Sequence, residues 1–243
     1  MRINLRYQLI LFSSFDLEAN PETIKIIQSS IGSELVPTPM IEGIINALTS
    51  EQKRTTRPRF STQDASFCFY AKSDCLVFEW VNVDIGNTKE ISMDSFCKQS
   101  KDICQNVDFF ANHMYRRIGL IRTTFIDEID SQKAFFAFNN PIKYYCGKEM
   151  KDWNVFIPAK VSIANNIEVN ATSRIQHVIT RVNRDSINKE FNGISLTTDV
   201  NTAARPTQDI YTLADIERMM GEIKDIEYKI TNETYDAVIG ANN

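Results

Sequence analysis

The segment Cys75–Ile85, CLVFEWVNVDI, constrains this chain more than any other stretch. It is rich in β-branched and aromatic residues, the composition of a strand. Leu76, Phe78 and Trp80 fall on one side of a period-two pattern; Val77, Glu79, Val81 and Val83 fall on the other. Both sides are mostly apolar, so the spacing predicts a central strand, covered on both faces. Ser66–Tyr70 reads as its neighbour, with Ser73-Asp74 in hairpin position.

The other elements are arranged around this strand. Ile3–Phe12 alternates like a strand. Asn20-Pro21-Glu22 is a helix start, with Asn as N-cap and Pro at the first helical position, and Gly32 stops the helix. Pro37 and Pro39 precede Met40–Leu48, read as a short helix, and the polar, basic Glu51–Arg59 reads as an exposed loop. Ser92–Met114 carries an apolar stripe at helical spacing, Met93, Phe96, Cys97, Ile103, Cys104, Val107, Phe110, Ala111 and Met114. Arg116–Ile126 is a further strand. Beyond it, strands are expected near Ala134–Phe138, Val155–Ile163, Ile167–Ala171, Ile175–Val182 and Ile194–Val200. A closing helix starts at Thr212 and Asp215, which have capping-box spacing, and breaks near Ile230-Thr231-Asn232.

The expected fold class is therefore α+β. The chain divides near residue 130 into two halves, 1–130 and 131–243, each a mostly antiparallel sheet packed by a long amphipathic helix. No internal repeat relates the halves, which would also fit together as one continuous compact unit. A chain of 243 residues with 43% hydrophobic residues buries a core large enough to need no metal or disulfide staple. The five cysteines, Cys68, Cys75, Cys97, Cys104 and Cys146, contain no C-x-x-C pair, so they read as free structural thiols. The N-terminus lacks a long apolar run with a cleavage site, and no stretch is apolar enough to span a bilayer. A cytoplasmic protein without membrane contact is expected.

Several short motifs carry a resemblance. They are Arg59-Phe60-Ser61-Thr62-Gln63-Asp64, Arg117-Ile118-Gly119-Leu120, Leu196-Thr197-Thr198-Asp199-Val200-Asn201 and Tyr228-Lys229-Ile230-Thr231. In this order of elements the chain resembles, over most of its length, a sporadically distributed bacterial family whose function is not established. It departs from that pattern at Ile121-Arg122-Thr123-Thr124, where arginine and asparagine are usual, and by lacking an acid near Asn201. The resemblance implies an α+β bacterial protein from a mobile or defence-associated locus, and it transfers no catalytic residue.

The common catalytic motifs are absent from the sequence; a nuclease-like Glu-x-Lys occurs at Glu149-Met150-Lys151, without a preceding aspartate on a strand, and at Glu227-Tyr228-Lys229, on the closing helix. Only His113 and His177 are present as imidazole bases, without a nucleophile elbow, and no glycine-rich phosphate loop occurs. The run Asp127-Glu128-Ile129-Asp130 reads as a solvated turn, so no metal and no cofactor are expected. Arginines form three groups in sequence: Arg54, Arg57 and Arg59 with Lys53; Arg116, Arg117 and Arg122; and Arg174, Arg181 and Arg184. If they converge they make an anion or nucleic-acid face, against a net charge of −4. In the closing helix Met219 and Met220 widen the apolar arc beyond what one sheet requires, which marks them as a partner contact. The leading expectation is a non-catalytic interaction or regulatory subunit that binds a protein partner or itself. The alternative is a nucleic-acid-binding or nuclease-type component that uses the arginines.

Overall fold

A computed structural model describes residues 2–45, 52–83, 90–138, 148, 152–184, 187–203 and 208–240. Its centre is an antiparallel sheet of nine strands. In chain order these are β1 (Arg2–Phe12), β2 (Val36–Pro37), β5 (Arg59–Ser61), β6 (Phe67–Ala71), β7 (Cys75–Val81), β8 (Arg117–Asp127), β9 (Asn154–Ile163), β10 (Ile167–Arg184) and β11 (Ile187–Thr202). A separate hairpin pairs β3 (Met40–Ile45) with β4 (Gln52–Arg57). Across the large sheet the order is β2-β5-β6-β7-β1-β8-β11-β10-β9. The helices are α1 (Pro21–Ile31), α2 (Met93–Asn106), α3 (Asp108–Ala111), α4 (Ser131–Phe138) and α5 (Leu213–Gly240). The protein is thus α+β, with a large antiparallel sheet and a C-terminal helix.

β7 lies inside the sheet, between β6 and β1, as its two apolar faces require. Leu76, Phe78 and Trp80 pair across β1 with Leu11, Leu9 and Tyr7, and this face meets the helices. Every described helix contributes to the core on this side, through residues such as Ile27, Phe96, Phe110, Ala134 and Ile223. On the other side Val77 and Cys75 are buried, whereas Glu79 and Val81 are half-buried. Because β8 pairs with β1 on one side and β11 on the other, the sheet runs unbroken across residue 130.

Local signals set the helix ends. The Asn20 side chain accepts from Thr23 N at 2.8 Å, and Gly32 closes α1 at φ 81°, a conformation glycine reaches without strain. Thr212 and Asp215 form the reciprocal capping box of α5.

Several expectations change. Met40–Ile45 is a strand rather than a helix, and Gln52–Arg57 is its partner rather than a loop. A short apolar run fits either state, and here pairing and a Glu42–Arg57 ion pair decide it. Ala134–Phe138 is helical because Asp130 caps α4, accepting from Gln132 N and Lys133 N at 2.9 and 3.2 Å. The Ser92–Met114 helix is interrupted at Val107, whose extended backbone (φ −97°, ψ 109°) separates α2 from α3. The closing helix does not break near Ile230 and runs on to Gly240.

β10 and β11, expected as three separate segments, form one long hairpin paired from Val169↔Thr202 out to Arg184↔Ile187. Beyond Gln176 on one side and Gly193 on the other neither strand has a lateral neighbour in the described sheet, so the hairpin projects as a two-stranded arm. A Cβ at Gly193 would lie 2.1 Å from the Ile126 carbonyl oxygen, so the last β8 pairing requires glycine there.

Candidate functional site

Among the described residues, the arginines singled out in the sequence lie apart from one another. Arg54 is exposed on β4. Arg57, three residues on, is buried: its Nε donates to Glu42 at 2.7 Å and Nη1 to the Leu17 carbonyl at 2.9 Å. The same Glu42 carboxylate accepts from Ser73, and these donors hold its pKa below the ordinary value although burial opposes them. Arg59 lies beside Cys68 on the far face of the sheet. Arg116 donates to Ser14 Oγ and the Asp74 carbonyl. Arg117 stacks over Phe12 and donates to the Thr202 carbonyl and Asn201 Oδ1, at 3.0 and 3.1 Å. Arg122 points to the opposite side, into the core. Arg174 donates to Asn154 at 3.2 Å, and the side chains of Arg181 and Arg184 lie outside the described residues.

Period two explains the split between Arg117 and Arg122. Residues an odd number apart on one strand face opposite ways. Sequence proximity therefore suggested a cluster that strand geometry forbids.

Three arrangements remain that could act. The first is the face of β7, β1, β8, β11, β10 and β9 that no described helix covers. It carries a lattice of mutual side-chain bonds: Arg117 to Asn201, Asn201 Nδ2 to Asp199 at 2.9 Å, Thr123 to Thr197 at 3.3 Å, and Arg6 to Glu79. Cations and carboxylates alternate across it rather than forming a basic sweep.

The second is a junction of Ser13, His113 and Asp209, brought together from the end of β1, the turn after α3 and the approach to α5. Ser13 Oγ lies 2.7 Å from His113 Nε2, 2.6 Å from the Met114 carbonyl and 2.9 Å from Asp209 Oδ2. Phe15 stacks on the imidazole at 4.3 Å between centroids. The residue types match a hydrolytic triad, yet the geometry does not. The carboxylate meets the serine instead of the ring, and Ser13 is 0% exposed, so no carbonyl carbon can reach its oxygen. The junction is a clasp between three chain segments.

Burial lowers the His113 pKa below its ordinary 6.5, against the pull of the Asp209 carboxylate and a hydrogen bond with the Ser14 backbone. A lowered folded value means that the group's contribution is present above the ordinary value and is lost as pH falls toward the depressed one. Between pH 7.5 and 5.5 the thermal midpoint is accordingly expected to fall, and less steeply in His113→Asn. Scanning fluorimetry across that range checks it; parallel curves would show that folding leaves the pKa of the ring unshifted. His177 sits on β10 and hydrogen-bonds Asn192 across the hairpin at 2.8 Å.

The third arrangement is buried. Arg122 Nη2 lies 3.0 Å from Glu227 Oε2 on α5, at ion-pair distance but without hydrogen-bond alignment, and Arg122 Nε has no partner among the described residues. Thr231 donates to Glu227 Oε1 at 2.6 Å and shares a 2.7 Å contact with Thr198. Burial pushes the Glu227 carboxyl up, and Arg122 offsets this only in part. Tyr7, whose ring lies under the Arg122 guanidinium, is pushed up to about 12 by burial.

Met219 and Met220, expected at a partner contact, are 1% and 9% exposed and belong to the core. Cys97 and Cys104 are buried free thiols. Burial raises both, that of Cys97 to about 12, so neither is a ready thiolate. Cys146 lies outside the described residues. Among the described residues no helix is long and apolar enough to cross a membrane, and no three acid, His or Cys side chains gather as a metal site.

No family model, curated protein or solved structure matches the chain. The resemblance stated above therefore rests on its short motifs.

Proposed function

We propose that this chain is a non-catalytic interaction subunit of a bacterial assembly, which binds a partner protein through the helix-free face of its sheet. One observation carries the reading: the polar side chains of that face are already bonded to each other, with both charge signs interleaved. Such a face presents fixed donors and acceptors at little further ordering cost, which suits the mixed polar rim and planar surface of another protein. Nucleic acid calls for a basic excess instead. Arg54, Arg57, Arg59, Arg116, Arg117 and Arg122 are spread over the hairpin, the sheet edge and both sheet faces, which weakens that alternative.

Thr197→Arg tests the reading. Thr197 is half-buried at the middle of the face, and its side chain makes one weak hydroxyl contact, so the fold should tolerate the change within about 0.5 kcal/mol. Proteins recovered with the tagged wild type from its native cell should fall about tenfold with Thr197→Arg. They should persist with Arg54→Ala, on the separate hairpin. Equal recovery with both variants would sink the proposal. Steeply salt-dependent oligonucleotide binding, abolished by Arg54→Ala, would replace it with the nucleic-acid alternative.

A further inference from the structure

The helix-covered side of the sheet contains a polar row that runs through four elements in register. Along β8 the inward residues are Leu120, Arg122, Thr124 and Ile126; along β11, Val200, Thr198, Leu196 and Ile194; along β10, Ala171, Ser173 and Ile175. Arg122 pairs with Thr198, and Thr198 with Ser173, so the polar positions lie side by side across three strands. α5 crosses above them with the same sequence of character: Ile223, then Glu227 and Thr231, then Val238.

On either side of this row the apolar core forms two clusters. The larger contains Leu120, Ala171, Val200 and Ile223, with Trp80. The smaller contains Ile126, Ala134, Trp153, Ile175, Ile194, Leu196 and Val238, with Phe135, Tyr235 and Ile239 packed against it. Cooperativity between parts of a core depends on continuous apolar packing, and a polar layer with unpartnered buried atoms interrupts it. Arg122 Nε is such an atom, and so is Nε1 of Trp153 within the smaller cluster.

We propose that the Arg122–Glu227 row is a seam, along which the smaller cluster opens while the larger core stays closed. Opening lifts α4 and the last turns of α5 from the base of the β10–β11 arm. The ion pair is the latch: it ties α5 to β8 at the boundary, with Arg2 of β1 holding Asn232 and the Tyr235 ring further along the same helix. β11 has one side on the seam, through Thr198, and the other on the lattice that holds Thr197 and Asp199. The opening therefore takes place directly behind the face proposed for partner binding, although the inference stands without that reading.

The two tryptophans of the chain, Trp80 and Trp153, fall one in each cluster, which makes the test direct. In urea, Trp153 emission followed in Trp80→Phe should shift before Trp80 emission followed in Trp153→Phe. Hydrogen exchange of the wild type at fixed pH needs no variant. Amides of α4 and of residues 235–239 should exchange through an opening at least about tenfold more populated than that of residues 216–223. The double variant Arg122→Met/Glu227→Leu, which replaces the seam by apolar contacts, should bring the two exchange classes together. Equal protection in both regions of the wild type overturns the proposal. Separate classes that persist unchanged in a folded double variant overturn the role of the ion pair as latch.

Discussion

Glu227→Ala is expected to lower the unfolding free energy by about 3–5 kcal/mol, the usual loss when one partner of a buried ion pair is removed. The carboxylate is 0% exposed and, among the described residues, is the only counter-charge at ion-pair distance from the buried Arg122. Alanine leaves the guanidinium in the core without it and takes the acceptor from Thr231. Glu227→Gln keeps the volume and one acceptor and should lose less. Arg122→Met/Glu227→Leu should return close to the wild type, because two charges taken out of water regain little when they are imperfectly aligned. Urea denaturation of the four proteins checks this ordering. A loss below about 1 kcal/mol for Glu227→Ala would mean that water reaches the pair and that it does not hold α5.

Met219→Lys is expected to unfold most of the protein. Burying a lysine lowers its pKa by roughly 3–5 units, which costs about 4–5 kcal/mol at neutral pH, and the lost methionine packing adds about 2 kcal/mol or more, against a total stability of about 5–15 kcal/mol for a natural domain. Met219 is 1% exposed and packs among Ile216, Met220 and Ile223 in the main core. Tyr228→Lys is the control on the same helix. Tyr228 is 61% exposed, so that substitution should change stability by no more than about 0.5 kcal/mol. Circular dichroism at 25 °C distinguishes the two. A folded Met219→Lys protein would restore the sequence-based expectation that this residue faces outward.

The contrast between Met219 and Tyr228 shows where the sequence was legible. Caps, turns and amphipathic stripes are local. Asn20, Gly32, Ser92 and the Thr212–Asp215 box therefore mark helix ends, and Phe96, Cys97 and Cys104 lie on the face predicted for them. The interior position of β7 also followed from its own residues. What was not legible depends on contacts made far along the chain. Met40–Ile45 becomes a strand only because Gln52–Arg57 pairs with it, and the arc of α5 is wide because α2 as well as the sheet lies beneath it. The Ser13–His113–Asp209 junction could not have been found from spacing, since its members are separated by most of the sequence. The seam did have a signal. Arg122, Ser173 and Thr198 interrupt apolar alternation at inward positions, but only the register between strands shows that the interruptions coincide.

The place of β1 in the sheet bears on how the chain is made. Of the strands in this sheet, β1 is made before the others and sits at the middle, and neither neighbour, β7 nor β8, is adjacent to it in sequence. Leu9 and Leu11 emerge with nothing to pair with until Cys75–Val81 has been synthesised. At 5–20 residues per second that interval is on the order of several seconds. β8 then waits for β11, and the row beneath Glu227 stays uncovered until α5, made after all of these strands, arrives. Vectorial synthesis thus exposes an apolar strand early and completes the sheet late. Such a topology, dominated by pairing between distant segments, is expected to fold slowly for its size.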